Sequence, residues 1–216
     1  MKLQPLFILC VVVTALPRPL FAAEGPQGTV SAEVRAGLWL ASNVRSLTAS
    51  AGNVESEPGA AFQGGVGVDY CISDEFAVDL SLGIIAARIN THEEALHSSQ
   101  ESEFVVPLLI GLRYYSHAHT IDSTLHPYIS VSVGPFAGLV SRDDTESKIV
   151  RSEVSFGGRI GGGIEKQIGD EFVLSLNGGL FLMSNYAGTI GGRRNFNGPE
   201  ISIGFAILLG NDDSDE

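Results

Sequence analysis

The ionisable side chains of this chain sit where they limit the chemistry open to it. Glu33, Asp69, Asp79 and Glu200 are each flanked by apolar residues, as are Arg35, Arg113 and Arg159 by apolar or small ones, and Glu165 stands between Ile164 and Lys166. Carboxylates and guanidiniums in such settings can neutralise one another in a low-dielectric interior, or line a narrow ion path. The five histidines fall into two groups, His92 with His97 and His117 and His119 with His126. A His-x-His pair with no third ligand in register matches no closed zinc site, so solvated histidines and no metal are expected. Two cysteines, Cys10 and Cys71, cannot form a disulfide scaffold, and Cys71 reads as a lone small apolar residue. Formal charge is −12 and the pI is near 4.7, which argues against nucleic acid as a partner. No residue pattern asks for a cofactor.

The elements that must position these groups have a single period. Residues 1–23 stand apart: Lys2, an apolar run from Leu6 to Leu16, Pro17, Pro19 and the small pair Ala22-Ala23 read as a secretory signal peptide cleaved near Ala22 or Ala23. Its core is too short to span a bilayer, and its removal takes Cys10, Lys2 and Arg18, leaving 11 basic against 25 acidic residues. From residue 28 onward apolar residues recur at every second position, the period of a strand with two unlike faces. Eight such segments are predicted, about 29–42, 61–72, 76–89, 103–116, 127–140, 153–168, 172–187 and 199–210. The intervening connections alternate, with long ones at 43–60, 90–102, 141–152 and 188–198, and short or middling ones at 73–75, 117–126 and 169–171. This is the order of an all-β, eight-stranded antiparallel up-and-down barrel occupying residues 24–210, followed by an acidic tail at 211–216. Both termini then fall at the short-turn end, which faces the periplasm in a barrel inserted from that side, and the long loops become extracellular. A hairpin echo supports the map. GVDYCISDEFAVDLSLG from Gly67 matches GIEKQIGDEFVLSLNGG from Gly163 at the Asp-Glu-Phe turn and beyond.

Alternation alone leaves open which face points outward, as a soluble lipid carrier would bury the apolar one. Aromatic residues on that face mark both ends of the strands: Tyr70, Phe76, Tyr114 and Phe172 at the short-turn end, Phe62, Phe104, Phe156 and Tyr186 at the long-loop end. That is the double girdle of a membrane barrel. The spacing from Phe62 to Tyr70, or from Phe104 to Tyr114, fits the ~9–11 residues a tilted strand needs to cross a bilayer. The other face, rich in Gly and Ser, carries all eight charges named above. An eight-stranded lumen is just wide enough to be filled by its own side chains, so a salt-bridged plug is expected. Pro107 and Pro135 fall inside strands, where each removes a ladder hydrogen bond and suggests a bulge.

PLLIGLRYY from Pro107, HPYISVSVGPFAG from His126 and the final ISIGFAILL, together with the signal peptide, resemble the small outer-membrane β-barrel family of OmpA membrane-domain, OmpX and OmpW type. The resemblance covers essentially all of the mature chain. It implies an outer-membrane protein of a Gram-negative-type bacterium, non-enzymatic and monomeric, with outer-membrane lipids, lipopolysaccharide and the barrel-assembly machinery as partners. The family usually ends on an aromatic that the assembly machinery reads, whereas here Leu208-Leu209-Gly210 and the acidic tail follow. Arg88, Arg193 and Arg194 at the outer rim have the guanidinium forks suited to lipopolysaccharide phosphates. Two further readings keep the barrel: a narrow channel for small or hydrophobic solutes of the OmpW sort, with lateral exit near Pro107 or Pro135, and a lipid A-modifying enzyme. The segment from Met183 to Gly198 is similar to the Ser-Asn region of lipid A deacylases, but Leu182 stands where that family has a His two positions before the Ser. Ser184 is thus left without an adjacent base.

Overall fold

The computed structural model describes residues 28–41, 59–94, 97–116, 125–144, 147–169 and 171–209, with the side chains of 88–101 and 142–149 outside that description. The signal segment, the acidic tail, His117 and His119 therefore lie outside the described residues. Eight strands close into one barrel, each paired antiparallel with its sequence neighbours and β1 with β8. They are β1 (Val30–Leu40), β2 (Ala60–Cys71), β3 (Phe76–Glu94), β4 (His97–Tyr115), β5 (Leu125–Asp144), β6 (Ser147–Ile168), β7 (Phe172–Met183) and β8 (Gly198–Leu209). Closure leaves no sheet edge at the level of the barrel wall, and side chains alternate between lumen and exterior.

The apolar face points out. Val34, Ile129, Val133, Ile160 and Ile203 are each more than half exposed, and every strand contributes large apolar residues to the same outer belt. Apolar surface this extensive marks a lipid-facing band. Phe62 and Phe156 stand 62% and 67% exposed at one border of the belt, with the half-buried Phe104 between them in strand order. At the other border Tyr70, Phe76, Tyr114 and Phe172 face outward; Phe76 packs tilted against Tyr114 at 5.1 Å between centroids and Phe172 stacks on Phe205 at 5.4 Å.

Three sequence expectations are corrected. The connections expected at 90–102 and 141–152 are mostly strand: β3 and β4 stay paired out to Glu94 and His97, β5 and β6 out to Asp144 and Ser147. Beyond the lipid belt both faces of a strand meet water, so the alternation that reveals a strand disappears while its backbone pairing continues. The seventh strand ends at Met183 rather than at 187. Tyr186 accordingly lies off the outer face, only 1% exposed, and is no member of the girdle. The prolines do not create bulges at their own positions. Ladder pairing lapses beside them, at Gly83–Ile84 against Val106–Pro107 and at Leu108–Leu109 against Gly134–Pro135, with the register unchanged across each gap. The register shift lies elsewhere, between Ala86 and Arg88.

The two echoed hairpins use different turn chemistry. At the β2–β3 turn the Ser73 hydroxyl accepts the Phe76 N–H at 3.1 Å, and at the β6–β7 turn Gly169 adopts φ +67, a conformation that suits glycine.

Candidate functional site

The inward side chains divide the lumen into two layers. Toward the short-turn end, Arg113 from β4 is the centre of a polar cluster. Its Nη1 lies 2.5 Å from Glu165 of β6 and 3.3 Å from Asp69 of β2, and its Nη2 lies 3.7 Å from Glu33 of β1. Asp69 and Glu165 occupy the same place in the two echoed hairpins, so the repeat sends one carboxylate to Arg113 from each side of the barrel. The guanidinium also sits 4.5 Å above the Tyr128 ring, an additional attraction for a desolvated cation. Glu33 accepts from Ser175 at 2.6 Å, Asn177 donates to Ser175 at 3.0 Å, and Tyr128 donates to Asn177. Small residues make the room. A Cβ at Gly163 would stand 3.0 Å from the Tyr128 hydroxyl, and one at Gly204 would collide with Glu33 and Ser175.

Higher in the lumen, Arg159 pairs with Glu200 and donates to Ser130 at 3.0 Å, while Gln63 donates to the second Glu200 oxygen. Thus of the eight charges assigned to the lumen by parity, six enter ion pairs, in two separate groups. Asp79 is buried opposite Asp69 in the ladder, and Arg35 borders a small cavity below Arg159; neither makes an ion pair among the described residues.

The second layer escapes the sequence reading. Toward the long-loop end the inner wall is apolar, built from Trp39, Ile85, Val105, Leu109, Phe136, Phe181 and Met183, and the β7–β8 connection folds down into it. Residues 184–197 turn inward after Met183, and Ile190, Gly191, Gly192 and Arg193 make a tight turn with both glycines at positive φ, +58 and +79. That turn drives Ile190 into the wall at zero exposure, with Tyr186 and Phe196 beside it at 1%. Polar groups of the connection are met by several strands. Gly191 N–H donates to Glu103 of β4, Gly188 N–H to Glu153 of β6 at 2.6 Å, Tyr186 O–H to the Phe136 carbonyl at 3.3 Å, and the Trp39 indole to the Phe196 carbonyl at 3.1 Å. The available signal is Trp39, Val105, Leu109, Phe136 and Phe181 standing at inward parity on a face otherwise rich in Gly, Ser and charge.

Other candidates are placed as follows. Ser184 is exposed where the connection leaves β7; its N–H donates to the Phe156 carbonyl at 2.9 Å and its carbonyl accepts from Ser155 at 2.7 Å. His126 stands at the opposite end of the barrel, paired in the ladder with Glu165, so among residues with described side chains no histidine adjoins Ser184. Among the described residues no group of three or more His, Cys, Asp or Glu is arranged to hold a metal ion. Arg193 lies over the Trp39 ring at 5.6 Å and Arg194 donates to the Tyr186 carbonyl at 3.4 Å, so both are tied to the inserted connection. Arg88 lies opposite Glu103 on β3, its side chain outside the described set.

A closed eight-stranded barrel with an outward apolar belt bordered by aromatic residues has the fold of the small transmembrane barrels of bacterial outer membranes. Among solved structures, the chain is similar to the outer membrane protein OprG from Pseudomonas aeruginosa at 13% identity and a TM-score of 0.50, over 86% of this chain and 97% of that one. It is likewise similar to Ail, the attachment invasion locus protein of Yersinia pestis, in complex with the heparin analogue sucrose octasulfate. There the identity is 11% and the TM-score 0.50, over 84% of this chain and 98% of that one. No family model and no curated protein matches the sequence.

Proposed function

We propose that this chain is a non-enzymatic outer-membrane barrel, exported by its amino-terminal signal segment, whose lumen is closed and whose role is structural or surface-interacting. The observation that carries the reading is the double filling of the interior, an ion-paired layer beneath an apolar layer into which the β7–β8 connection inserts. A solute path would have to displace both. Lipid facing the outer belt is the primary partner, the assembly machinery inserts the barrel, and a single chain completes it. Arg193 and Arg194, which contact Trp39 and Tyr186, carry guanidiniums suited to lipopolysaccharide phosphates, and Arg88 joins them as a proposed contact on its position in the sequence. Catalysis is disfavoured because, among the residues with described side chains, no histidine adjoins Ser184. Flux of small neutral and charged solutes into proteoliposomes tests the closed lumen: rates no higher than in protein-free vesicles are expected. Solute entry at porin-like rates would reject the reading.

One observation favours a second reading, a narrow path with lateral exit. Ladder pairing lapses on both sides of β4 near Pro107, beside the small mid-lumen cavity. A disulfide stapling β4 to β5 across that gap distinguishes the two. It leaves uptake of a hydrophobic solute unchanged if the lumen is closed and abolishes it if the wall opens there.

A further inference from the structure

Asp69 on β2 stands directly opposite Asp79 on β3, and both are buried on the inward face, at 3% and 7% exposure. The turn beside them fixes what kind of pair this is. Ile72 N–H donates to the Phe76 carbonyl at 2.8 Å, so the even positions of β2 exchange hydrogen bonds with β3 and Asp69 with Asp79 forms a non-hydrogen-bonded pair. Side chains of such pairs are the closer kind, with Cβ atoms about 4.5–5.5 Å apart. The surrounding donors are unevenly placed. Asp69 Oδ2 takes Arg113 and the Ser31 hydroxyl, each at 3.3 Å, whereas Oδ1 is buried with no hydrogen-bond partner. Asp79 makes no ion pair among the described residues. Arg113 lies nearest Glu165, and Arg35 stands over Gly67, one inward step above the pair and two residues from Glu33 on β1. In the lower layer the carboxyl groups of Glu33, Asp69, Asp79 and Glu165 therefore share two guanidiniums, Arg35 and Arg113.

We infer that Asp69 and Asp79 form a proton-binding site: one proton is shared between Asp69 Oδ1 and the Asp79 carboxylate, and the pair carries a single negative charge. Like charges directly opposite one another on neighbouring strands are destabilising, and carboxylates that share a buried site hold a proton as a unit. The proton is taken from water as the barrel closes, and only the O–H bond is made. A water molecule at Asp69 Oδ1 would satisfy that oxygen but leave two charges facing each other where Coulomb energies are large. A metal ion lacks ligands, since among the described residues no three acidic, His or Cys side chains converge to hold one. The other charged groups of the layer pull in both directions. Glu33 of β1 and Glu165 of β6 favour the shared proton, while Arg35 of β1 and Arg113 of β4 oppose it. Tyr115 of β4 and Tyr128 of β5 are both engaged by Arg113. The inference is independent of the surface role proposed above.

Infrared spectroscopy reads such a proton directly. The full exported protein is folded at neutral pH in micelles of an ester-free detergent, and its fold is checked by the heat-dependent gel shift. A carbonyl stretch of a protonated carboxyl, above the amide I band, is expected in the folded barrel and absent from the unfolded chain. Carbon-13 labelling of the aspartate carboxyls should displace it. Asp79→Asn puts an amide N–H where the shared proton lies, is nearly isosteric and so least able to disturb folding, and should abolish the band. No aspartate band in the folded wild type overturns the inference, and so does a band that survives in Asp79→Asn. Linkage supplies a second readout. Aspartates of the unfolded chain release their protons near their ordinary pKa of ~3.9, whereas the folded pair retains one. Wild-type stability relative to Asp79→Asn should therefore fall as pH rises from there until the folded pair itself ionises, by about tenfold in the folded-to-unfolded ratio per pH unit. Equal pH dependence of urea unfolding in the two proteins overturns the inference as well.

Discussion

The two layers of the lumen share one wall and one inward parity, yet they are held together by different physics. The lower layer is built from strand residues alone. Arg113, Asp69, Glu165 and Glu33 come from four strands, and the ladder register brings them to one level across the barrel. The upper layer is completed by a connection, whose Tyr186, Ile190 and Phe196 pack against Trp39, Phe136 and Phe181. Ion pairs out of water need every member present, because removing one partner leaves the others buried and uncompensated. An apolar layer degrades more gradually, in proportion to the volume removed. The lower layer should therefore behave as part of the barrel and the upper one as a docked lid.

Four substitutions test that division, and Trp39, the single tryptophan, reports on the lid. Arg113→Met has the largest expected effect. It strands three carboxylates and should lower barrel stability by about 3–5 kcal/mol in urea unfolding. Acrylamide quenching of Trp39 under native conditions should stay unchanged; a parallel rise in quenching would show one cooperative unit and dissolve the distinction. Next comes Ile190→Ala, expected to cost about 2–5 kcal/mol of lid docking. Here quenching should rise and amide exchange over 184–197 should accelerate, while the heat-dependent gel shift is retained. Gly138→Val approaches the same contact from the wall, since a Cβ at Gly138 would stand 2.6 Å from Ile190 Cγ1. Overpacking of about 1–3 kcal/mol should expel the turn and mimic Ile190→Ala; a lid that remains protected in exchange would mean that the wall yields instead. The smallest effect belongs to Trp39→Phe, which leaves the Phe196 carbonyl without its indole donor. About 1 kcal/mol is expected, visible as faster exchange of amides near Phe196 with barrel stability otherwise within error.

The barrel was legible in the sequence wherever a strand separates two unlike media. Val34, Leu80, Ile110, Ile160 and Ile203 face lipid while their neighbours face the lumen, and period-two alternation reports that contrast directly. It fell silent where the contrast ends. At the ends of β3 to β6 the sequence does not alternate, so the stretches around Glu94 and Asp144 read as loops although their backbones are paired. It also misplaced Tyr186, because parity was carried past Met183 into a segment that had left the sheet. Of the candidate site, the inward set of charges could be read by counting from the turns. Their pairing could not, since Arg113 might have met any of several carboxylates at similar height.

What the linear chain settles is thus whatever one strand decides for itself: inside or outside, apolar or polar, turn or ladder. Which charges meet depends on the stagger between strands, a property of the closed barrel that no single segment encodes. Glu165 meets Arg113 and Glu200 meets Arg159 because of how β4, β6 and β8 are offset around the ring. The inserted connection depends on tertiary structure still more completely. Its Gly-Gly turn is recognisable locally, but only the apolar upper wall, assembled from six strands, provides a place where burying Ile190 and Phe196 is more favourable than leaving them in water.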